Sequence, residues 1–120
     1  MWTYKQSTGE LSHDDQSIGF GYSGHGEGIN NPDLQSESSV GPIPQGWWTI
    51  ENAIDSVDHG PVAMHLTPKA GTETFGRGPF LIHGDSAEHP GQASLGCIIM
   101  AREIRNQVSA SPDRDLTVIA

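Results

Sequence analysis

Residues 77–109 read RGPFLIHGDSAEHPGQASLGCIIMAREIRNQVS, and the prediction of the fold starts from this stretch. Residues 80–82 form a compact apolar run that ends at His83 and is followed at once by a glycine, as in a short buried strand. From Ile98 to Ser109 the apolar residues recur at helical spacing, which predicts one short helix directly after Cys97. A strand, a turn-rich segment and a helix are therefore expected around the single cysteine.

The rest of the chain predicts short strands joined by turns. Fifteen Gly and eight Pro are spread along the 120 residues and divide them into short segments. These segments carry β-branched or aromatic residues and end near turn-forming residues, which favours strands over long helices. The predicted strands are Trp2–Gln6, Ile18–Tyr22, Trp47–Ala53, Val62–Leu66, Phe80–His83 and Leu116–Ile119, the last closing the sheet at the C-terminus. We therefore expect one domain over residues 1–120, mainly β, with one short helix after the cysteine.

The composition argues against several classes of protein. Asp and Glu number 15 against 6 Lys and Arg, and the formal net charge of −9 disfavours nucleic acid and anionic membrane surfaces as partners. No apolar run approaches the ~20 residues that span a bilayer, so no membrane insertion is expected. One cysteine cannot form an internal disulfide. The N-terminal residues lack the basic and apolar regions of a Sec-type signal, which predicts synthesis in the cytoplasm without a signal peptide.

Cys97 and His83 have the residue types and surroundings of an acyl-transfer site. A nucleophilic thiol needs a base that shares its proton, a group that orients the base, and amide donors for the developing oxyanion. His83 stands fourteen positions before Cys97, and the small residues Ser94 and Gly96 leave the backbone N–H groups accessible. A helix that begins at Cys97 would further favour the thiolate. The alternative is that Cys97 is a buried structural thiol and His83 an ordinary strand-end histidine.

Two further patterns have simpler interpretations than a nucleotide site or a metal site. Gly19, Gly21 and Gly24 satisfy G-x-G-x-x-G, but no helix can start in the HGEGINNPDL that follows, so a Gly-rich turn or substrate-lining loop is the better interpretation. Six histidines raise the question of a metal, yet the chain has no HExxH, no histidine pair at i, i+4 and no CxxC. The remaining candidate set is His83, Asp85 and His89, and its spacing is only weakly typical of a metal site. We therefore expect no metal and no other cofactor.

At these residues the sequence resembles the L,D-transpeptidase catalytic domain. The signature of that family is a His, a gap, then Ser/Thr-x-Gly-Cys and an apolar residue, and the matching residues are His83, Ser94, Gly96, Cys97 and Ile98. The wider pattern is similar to the type VI secretion L,D-transpeptidase effectors (Tlde1-like), a compact branch of interbacterial toxins. That similarity lies in WTYKQSTGEL, GYSG, INNP, GPIPQGWWTI and GRGPFLIHGD. It covers nearly the whole chain and implies an L,D-transpeptidase-like β-sandwich or barrel.

The resemblance also implies roles for individual residues. Cys97 would attack a peptide carbonyl of the peptidoglycan stem, and His83 would take the thiol proton and return it to the leaving amine. The carbonyl of Ser94 would orient the imidazole, and the amides of Gly96 and Cys97 would stabilise the oxyanion. Tyr22 and Ser23 would line the groove, and Arg77 would face the substrate's carboxylates. Asp85 would be a second orienter of the imidazole or a substrate contact.

The resemblance implies a function with several outcomes. Water would resolve the acyl-enzyme as an L,D-carboxypeptidase, whereas an amine would give D-amino-acid exchange or a crosslink. Such an effector would be secreted by type VI components, act in the periplasm of target bacteria, and have a cognate immunity protein in the producing cell. The larger family often has His where Leu95 stands and Arg or Asn where Ile99 stands, so the resemblance leaves the donor specificity open.

Two other functions compete with this interpretation. A sortase is also a β-barrel with His before Cys in chain order, but it needs an Arg on a strand after the Cys, and Arg102 and Arg105 lie on the predicted helix. The second alternative is a catalytically inactive relative that only binds peptidoglycan. A catalytic Cys97 is expected to react quickly with a thiol-reactive probe at neutral pH and to lose that reactivity in His83→Ala, whereas a buried structural cysteine should barely react.

Overall fold

The computed structural model describes residues 1–120 and joins nine strands in one sheet. The strands pair in the order β3-β2-β1-β9-β5-β6-β7-β8-β4. All neighbours are antiparallel except the parallel pairs β1–β9 and β7–β8. In chain order the elements are β1 (Trp2–Lys5), β2 (Glu10–His13), β3 (Gln16–Phe20), β4 (Tyr22–Ser23), β5 (Gly46–Ser56), β6 (Gly60–Pro68), β7 (Phe80–His83), β8 (Ile98–Ile99), α1 (Arg102–Ala110) and β9 (Asp115–Ile119).

The sheet closes on itself at Gly21. β3 and β4 are its two edge strands, and only Gly21 separates them in sequence. The Gly21 N–H donates to the Gly9 carbonyl at 2.8 Å, and a Cβ on Gly21 would lie 1.8 Å from the Ile99 carbonyl oxygen. Because Gly21 has no side chain, β4 can reach β8, and the sheet becomes a nearly closed barrel.

The other glycines of the G-x-G-x-x-G pattern also allow close packing. A Cβ on Gly19 would lie 2.4 Å from the Ile104 side chain of α1. Gly24 has a φ of +106°, and a Cβ there would lie 2.3 Å from the Gly28 carbonyl oxygen. Only short 3-10 turns follow, at Gly26–Gly28 and Pro32–Leu34, so the pattern belongs to a tightly packed turn.

The core fills the space inside this curved sheet. All four residues of β7 are buried, which is expected for a strand with neighbours on both sides and cover on both faces. The Trp48 ring packs edge-on against Phe80 with ring centroids 5.3 Å apart, and its indole N–H donates to the Pro44 carbonyl. Helix α1 adds the buried Val108 to the core. No helix of the structure is long and apolar enough to cross a membrane.

The prediction of a mainly β fold with one short helix is confirmed, but the predicted helix start is wrong. Residues 98–99 form β8 beside β7, and the Met100 N–H extends this pairing by donating to the His83 carbonyl at 3.0 Å. The helix begins only at Arg102. Pairing with a buried strand satisfies the polar backbone groups and buries Ile98 and Ile99 together, which outweighs their helical spacing. The C-terminal strand β9 likewise lies between β1 and β5, not at the edge of the sheet.

Closure at Gly21 can be tested by adding one methyl group. We expect Gly21→Ala to lower the free energy of unfolding by at least about 3 kcal/mol, because the new Cβ would overlap backbone atoms that cannot move without separating β4 from β8. Urea unfolding followed by tryptophan fluorescence measures the change. Gly71→Ala is the control, since Gly71 has a positive φ but open space around it, and should cost only about 1–2 kcal/mol. Equal losses in the two variants would contradict the role of Gly21.

Candidate active site

The pairing of β7 with β8 brings two reactive side chains to the same face. Ile82 lies opposite Ile98 in this parallel pair, so the residue before β8, Cys97, continues the register beside Leu81. Side chains alternate along a strand, and Leu81 therefore shares its face with His83, two residues further on. Cys97 and His83 are diagonal neighbours on one face of the sheet.

Both side chains border one cavity of about 310 Å³. Cys97 is partly buried and is the free thiol of the chain. His83 is almost fully buried, with 5% of its surface exposed. The walls include apolar and cationic side chains, among them Arg77, Phe80, Leu81 and Leu95. A substrate in this cavity would contact the sulfur and the imidazole together.

The imidazole of His83 is held in one tautomer. Its Nδ1 lies 2.8 Å from the Gly84 carbonyl oxygen, and a carbonyl only accepts, so Nδ1 carries the hydrogen. This leaves Nε2 as the basic nitrogen. The expectation that the Ser94 carbonyl orients the ring is corrected here, because the partner of Nδ1 is Gly84. A Cβ on Gly84 would lie 2.8 Å from the Arg105 guanidinium, so Gly84 packs closely against that group.

The thiol and the imidazole form a neutral pair at neutral pH. Burial raises the pKa of the Cys97 thiol, opposed in part by a backbone hydrogen bond from Leu81 and by the charge of Arg77. Burial likewise lowers the pKa of His83, with smaller contributions from His59 and Arg105 in the same direction. The expected help from a helix N-terminus is absent, since α1 begins at Arg102. A reaction at this thiol would therefore need His83 to take the thiol proton as a substrate is attacked, rather than in the resting protein.

The turn that carries Cys97 is organised by the Ser94 hydroxyl. This buried oxygen accepts from the N–H groups of Gly24 (2.9 Å) and Gly96 (3.1 Å) and donates to the Cys97 carbonyl (2.6 Å). The Gly96 amide is thereby occupied inside the turn, whereas the Cys97 amide donates to no group of the protein. The Ser23 hydroxyl, which is also buried, donates to the Gly96 carbonyl at 2.9 Å and leaves no surface for a substrate contact. Of the two amides expected to stabilise an oxyanion, those of Gly96 and Cys97, the Cys97 amide is the one left free.

Arg77 joins the Cys97 turn to a neighbouring loop. Its two terminal nitrogens donate to carbonyl oxygens of four residues, namely Gln35, Gly41, Pro42 and Leu95. Its guanidinium also lies 5.3 Å from the Phe80 ring centroid. No carboxylate pairs with it, so its positive charge remains uncompensated at the cavity wall.

Tyr22 and Asp85 hold the loop that follows β7. The Tyr22 hydroxyl donates to Asp85 Oδ1 at 2.6 Å and accepts from the Ala93 N–H at 3.0 Å. The Asp85 carboxylate also accepts from the backbone N–H groups of Ser86 and Gly91. These hydrogen bonds lower the pKa of Asp85 and keep it ionised. Tyr22 and Asp85 thus hold residues 84–93, the loop that follows His83, in place.

His59 is the site residue that the sequence did not indicate. It lies in the turn between β5 and β6, and its ring centroid is 4.7 Å from that of His83, at an interplanar angle of 53°. Both rings border the cavity with Cys97 and a second cavity of about 460 Å³, which Asp58 and Asp85 also line. The Asp-His-Gly turn signal predicts a hairpin tip, but its position over His83 follows from tertiary structure alone.

The histidines do not assemble the metal site considered from the sequence. One group of three side chains has ligand-type atoms within 4.8 Å of one another, and it comprises His13, Asp14 and Asp113. These residues form ion pairs with each other and with the N-terminal amine. The set of His83, Asp85 and His89 does not form such a group.

The fold and this site define a small, mainly β protein whose free thiol and buried imidazole share one cavity. Comparison with known families gives a match to the Tlde1 domain over residues 18–113, which includes every candidate site residue. The chain therefore belongs to the Tlde1 family, a family of type VI secretion L,D-transpeptidase effectors, as the sequence resemblance predicted. Comparisons with curated proteins and with solved structures gave no match.

The neutral thiol can be tested by alkylation. The raised pKa of Cys97 replaces the sequence-based expectation of fast labelling at neutral pH. We expect iodoacetamide to modify Cys97 slowly at pH 7 and progressively faster up to and beyond pH 9, because the reactive thiolate forms only near a pKa raised above its ordinary 9.0. Intact-mass measurement of the adduct at each pH gives the titration midpoint, and Cys97→Ser, which has no cysteine, gives the background. A midpoint below pH 7 would show a preformed thiolate–imidazolium pair instead.

The Ser94 hydroxyl has a structural contribution that can be measured separately. Ser94→Ala leaves the Gly24 and Gly96 amides without their acceptor, and we expect it to lower the free energy of unfolding by about 2–4 kcal/mol. Ser86→Ala removes an exposed hydroxyl that accepts from one amide and should cost less than about 1 kcal/mol. Urea unfolding compares the two variants. A Ser94→Ala protein as stable as the parent would disprove the role of this hydroxyl in the turn.

Proposed function

We propose that this protein cleaves the terminal residue from peptidoglycan stem tetrapeptides by cysteine-dependent acyl transfer, with Cys97 as the nucleophile and His83 as the general base and acid. The observation that carries this proposal is the shared cavity of the Cys97 thiol and the His83 ring, whose basic nitrogen is free. Membership of an L,D-transpeptidase effector family supports the same reaction class.

The first half-reaction forms a thioester. His83 Nε2 takes the thiol proton while Cys97 Sγ bonds to the carbonyl carbon that precedes the terminal D-alanine. The resulting oxyanion accepts from the Cys97 N–H, which has no other acceptor. The tetrahedral intermediate then collapses as His83 gives its proton to the nitrogen of D-alanine, which leaves as an amine. The stem peptide stays bound to Cys97 as an acyl group.

The second half-reaction decides the product. When water attacks the thioester, His83 takes a proton from it and returns the proton to the departing Cys97 sulfur, so the net result is L,D-carboxypeptidase activity. When a D-amino acid attacks through its amine, a new amide forms and the result is exchange or a crosslink. The protein is proposed to catalyse both reactions, because the base and the thioester are the same in each.

The charge of the cavity suits an anionic substrate. Stem peptides carry several carboxylates, and the uncompensated guanidinium of Arg77 lies at the cavity wall beside Cys97. Its N–H groups donate to backbone carbonyls, so Arg77 would attract carboxylates through its field rather than through direct hydrogen bonds. Asp85 and Tyr22 would shape the opposite wall through the loop that they hold.

This activity would make the protein an antibacterial toxin. Removal of the terminal D-alanine destroys the donors that a cell needs for crosslinking, and the substrate is found in the periplasm of the target cell. A producing cell would then need a cognate immunity protein, and type VI components would deliver the effector.

The sortase-like alternative fits the structure less well. That chemistry calls for an arginine on a strand after the cysteine, but β8 consists of Ile98 and Ile99. Arg102 and Arg105 are part of α1, and the guanidinium of Arg105 donates to the backbone carbonyls of Met100 and Pro61. An inactive binding module would have no use for a thiol and a base held in one cavity.

The reaction is tested with purified protein and tetrapeptide muropeptides, with and without a D-amino acid. We expect the donor to lose its terminal alanine in the first case and to exchange it in the second, as seen by mass spectrometry. Cys97→Ala should abolish both products because no acyl-enzyme can form. His83→Gln should reduce them by roughly 10²–10⁴-fold because proton transfer is lost.

His89→Gln is the matched control for the histidine variant. The His89 side chain is exposed and borders neither cavity, so its replacement should leave the rate unchanged. A wild-type protein that alters the donor no more than Cys97→Ala does would rule out the enzymatic function.

A further inference from the structure

The two histidines of the site have opposite hydrogen-bonding roles. The Ser56 hydroxyl oxygen accepts from the N–H groups of Asp58 (3.2 Å) and His59 (3.1 Å), so its own hydrogen is left to donate to His59 Nδ1 at 3.2 Å. Neutral His59 therefore carries its hydrogen on Nε2. In His83 the hydrogen is on Nδ1 and Nε2 is free. One imidazole of the pair accepts a proton, and the other presents a hydrogen-bond donor beside it.

No other cationic or strong donor side chain is free at this site. The terminal nitrogens of Arg77 already donate to backbone carbonyls. Arg105 borders neither cavity, and its Nε and Nη1 donate to the carbonyls of Met100 and Pro61. No lysine borders either cavity. A carboxylate bound next to His83 would therefore find its side-chain partner in His59.

The proposed reaction requires such a carboxylate at this distance. His83 gives its proton to the nitrogen of the leaving D-alanine, and the carboxylate carbon of that residue is two bonds, roughly 2.5 Å, from the nitrogen. Its oxygens then lie within about 3.6 Å of the same nitrogen. The 4.7 Å separation of the two ring centroids places His59 within reach of a carboxylate whose amine is at His83.

We infer that His59 is a specificity residue that binds the terminal carboxylate of the donor and so directs the enzyme to the free end of the stem peptide. This inference rests on the proposed function and names the group that the same site recognises. His59 donates a hydrogen bond and keeps its proton, so the proton transfers stay with His83. A free D-amino acid that attacks the thioester reverses the departure of D-alanine, and His59 would hold its carboxylate in the same place.

The acidic residues nearby are compatible with this role. The Asp85 oxygens already accept from Tyr22 and from two backbone amides of the loop. Asp58 is exposed to solvent at the hairpin tip, where its charge is screened. The electrostatic potential at a bound carboxylate is then determined by the two imidazoles and by the positive charge of Arg77.

The test compares a tetrapeptide that ends in D-alanine with the same peptide that ends in D-alaninamide. For the wild type we expect kcat/KM to favour the acid by roughly tenfold to a hundredfold, the usual contribution of a hydrogen bond to a charged group. His59→Phe keeps a ring against His83 but has no donor, and its acid-to-amide ratio should fall close to 1. His59→Gln keeps an N–H donor and should retain most of the preference.

The ratio separates carboxylate binding from general damage, because a distorted site would slow both peptides alike. A wild type without preference for the acid, or an unchanged ratio in His59→Phe, would overturn the inference. If the wild type cleaves neither peptide, the proposed reaction fails and binding decides the role of His59. Calorimetry with Cys97→Ala should then show tighter binding of the acid than of the amide. The Cys97→Ala/His59→Phe protein should bind the two peptides equally. Equal binding of the two peptides to Cys97→Ala would refute the role of His59 in carboxylate binding.

Discussion

The close contact between Gly21 and the Ile99 carbonyl is the constraint on which the site depends. It allows the two edges of the sheet to meet, because the chain passes from β3 to β4 through a residue without a side chain. β8 has only two residues, and it is held by β7 on one side and by β4 on the other. Cys97 precedes this short strand directly. The position of the thiol relative to the imidazole therefore depends on the closure of the whole sheet as well as on the local hydrogen bonds of Ser94.

Burial sets the chemical state of the site. It raises the pKa of the thiol and lowers that of the imidazole, so both groups are uncharged when the cavity is empty. A neutral cysteine is a weaker target for oxidants and electrophiles than a thiolate is. In the proposed reaction, charge would develop only as a carbonyl carbon comes within reach of the sulfur. The free Cys97 amide and the field of Arg77 are in place to stabilise it.

The sequence predicted the parts of the fold and site that depend on local pattern. Strand β7 was predicted at its observed bounds, because its apolar residues end at a histidine and a glycine. The helix start was wrong because Ile98 and Ile99 fit helical spacing as well as a strand, and only their pairing with β7 decides between the two. His59 was missed because it lies 24 residues before His83, in a hairpin whose register shifts twice. Val62, with a φ of +55°, bends the chain just after this hairpin turn. The Gly84 carbonyl, likewise, is a backbone group that no side-chain pattern reveals.

Three of the four arginines donate to main-chain carbonyls rather than to carboxylates. Arg77 connects the Cys97 turn to its neighbouring loop, and Arg105 connects the carbonyls of Met100 and Pro61. Arg114 connects β5 to the end of α1. Neither a guanidinium nor a peptide carbonyl titrates in acid. These cross-links consequently keep their strength where carboxylate ion pairs are lost, while protonation of the exposed Asp and Glu relieves the repulsion among an excess of acidic groups. The net charge of −9 thus belongs to an outer shell around guanidinium–carbonyl cross-links that acid does not break. The acid-sensitive parts of the site are the Asp85 carboxylate, which holds the loop after β7, and the buried His83, whose pKa is lowered.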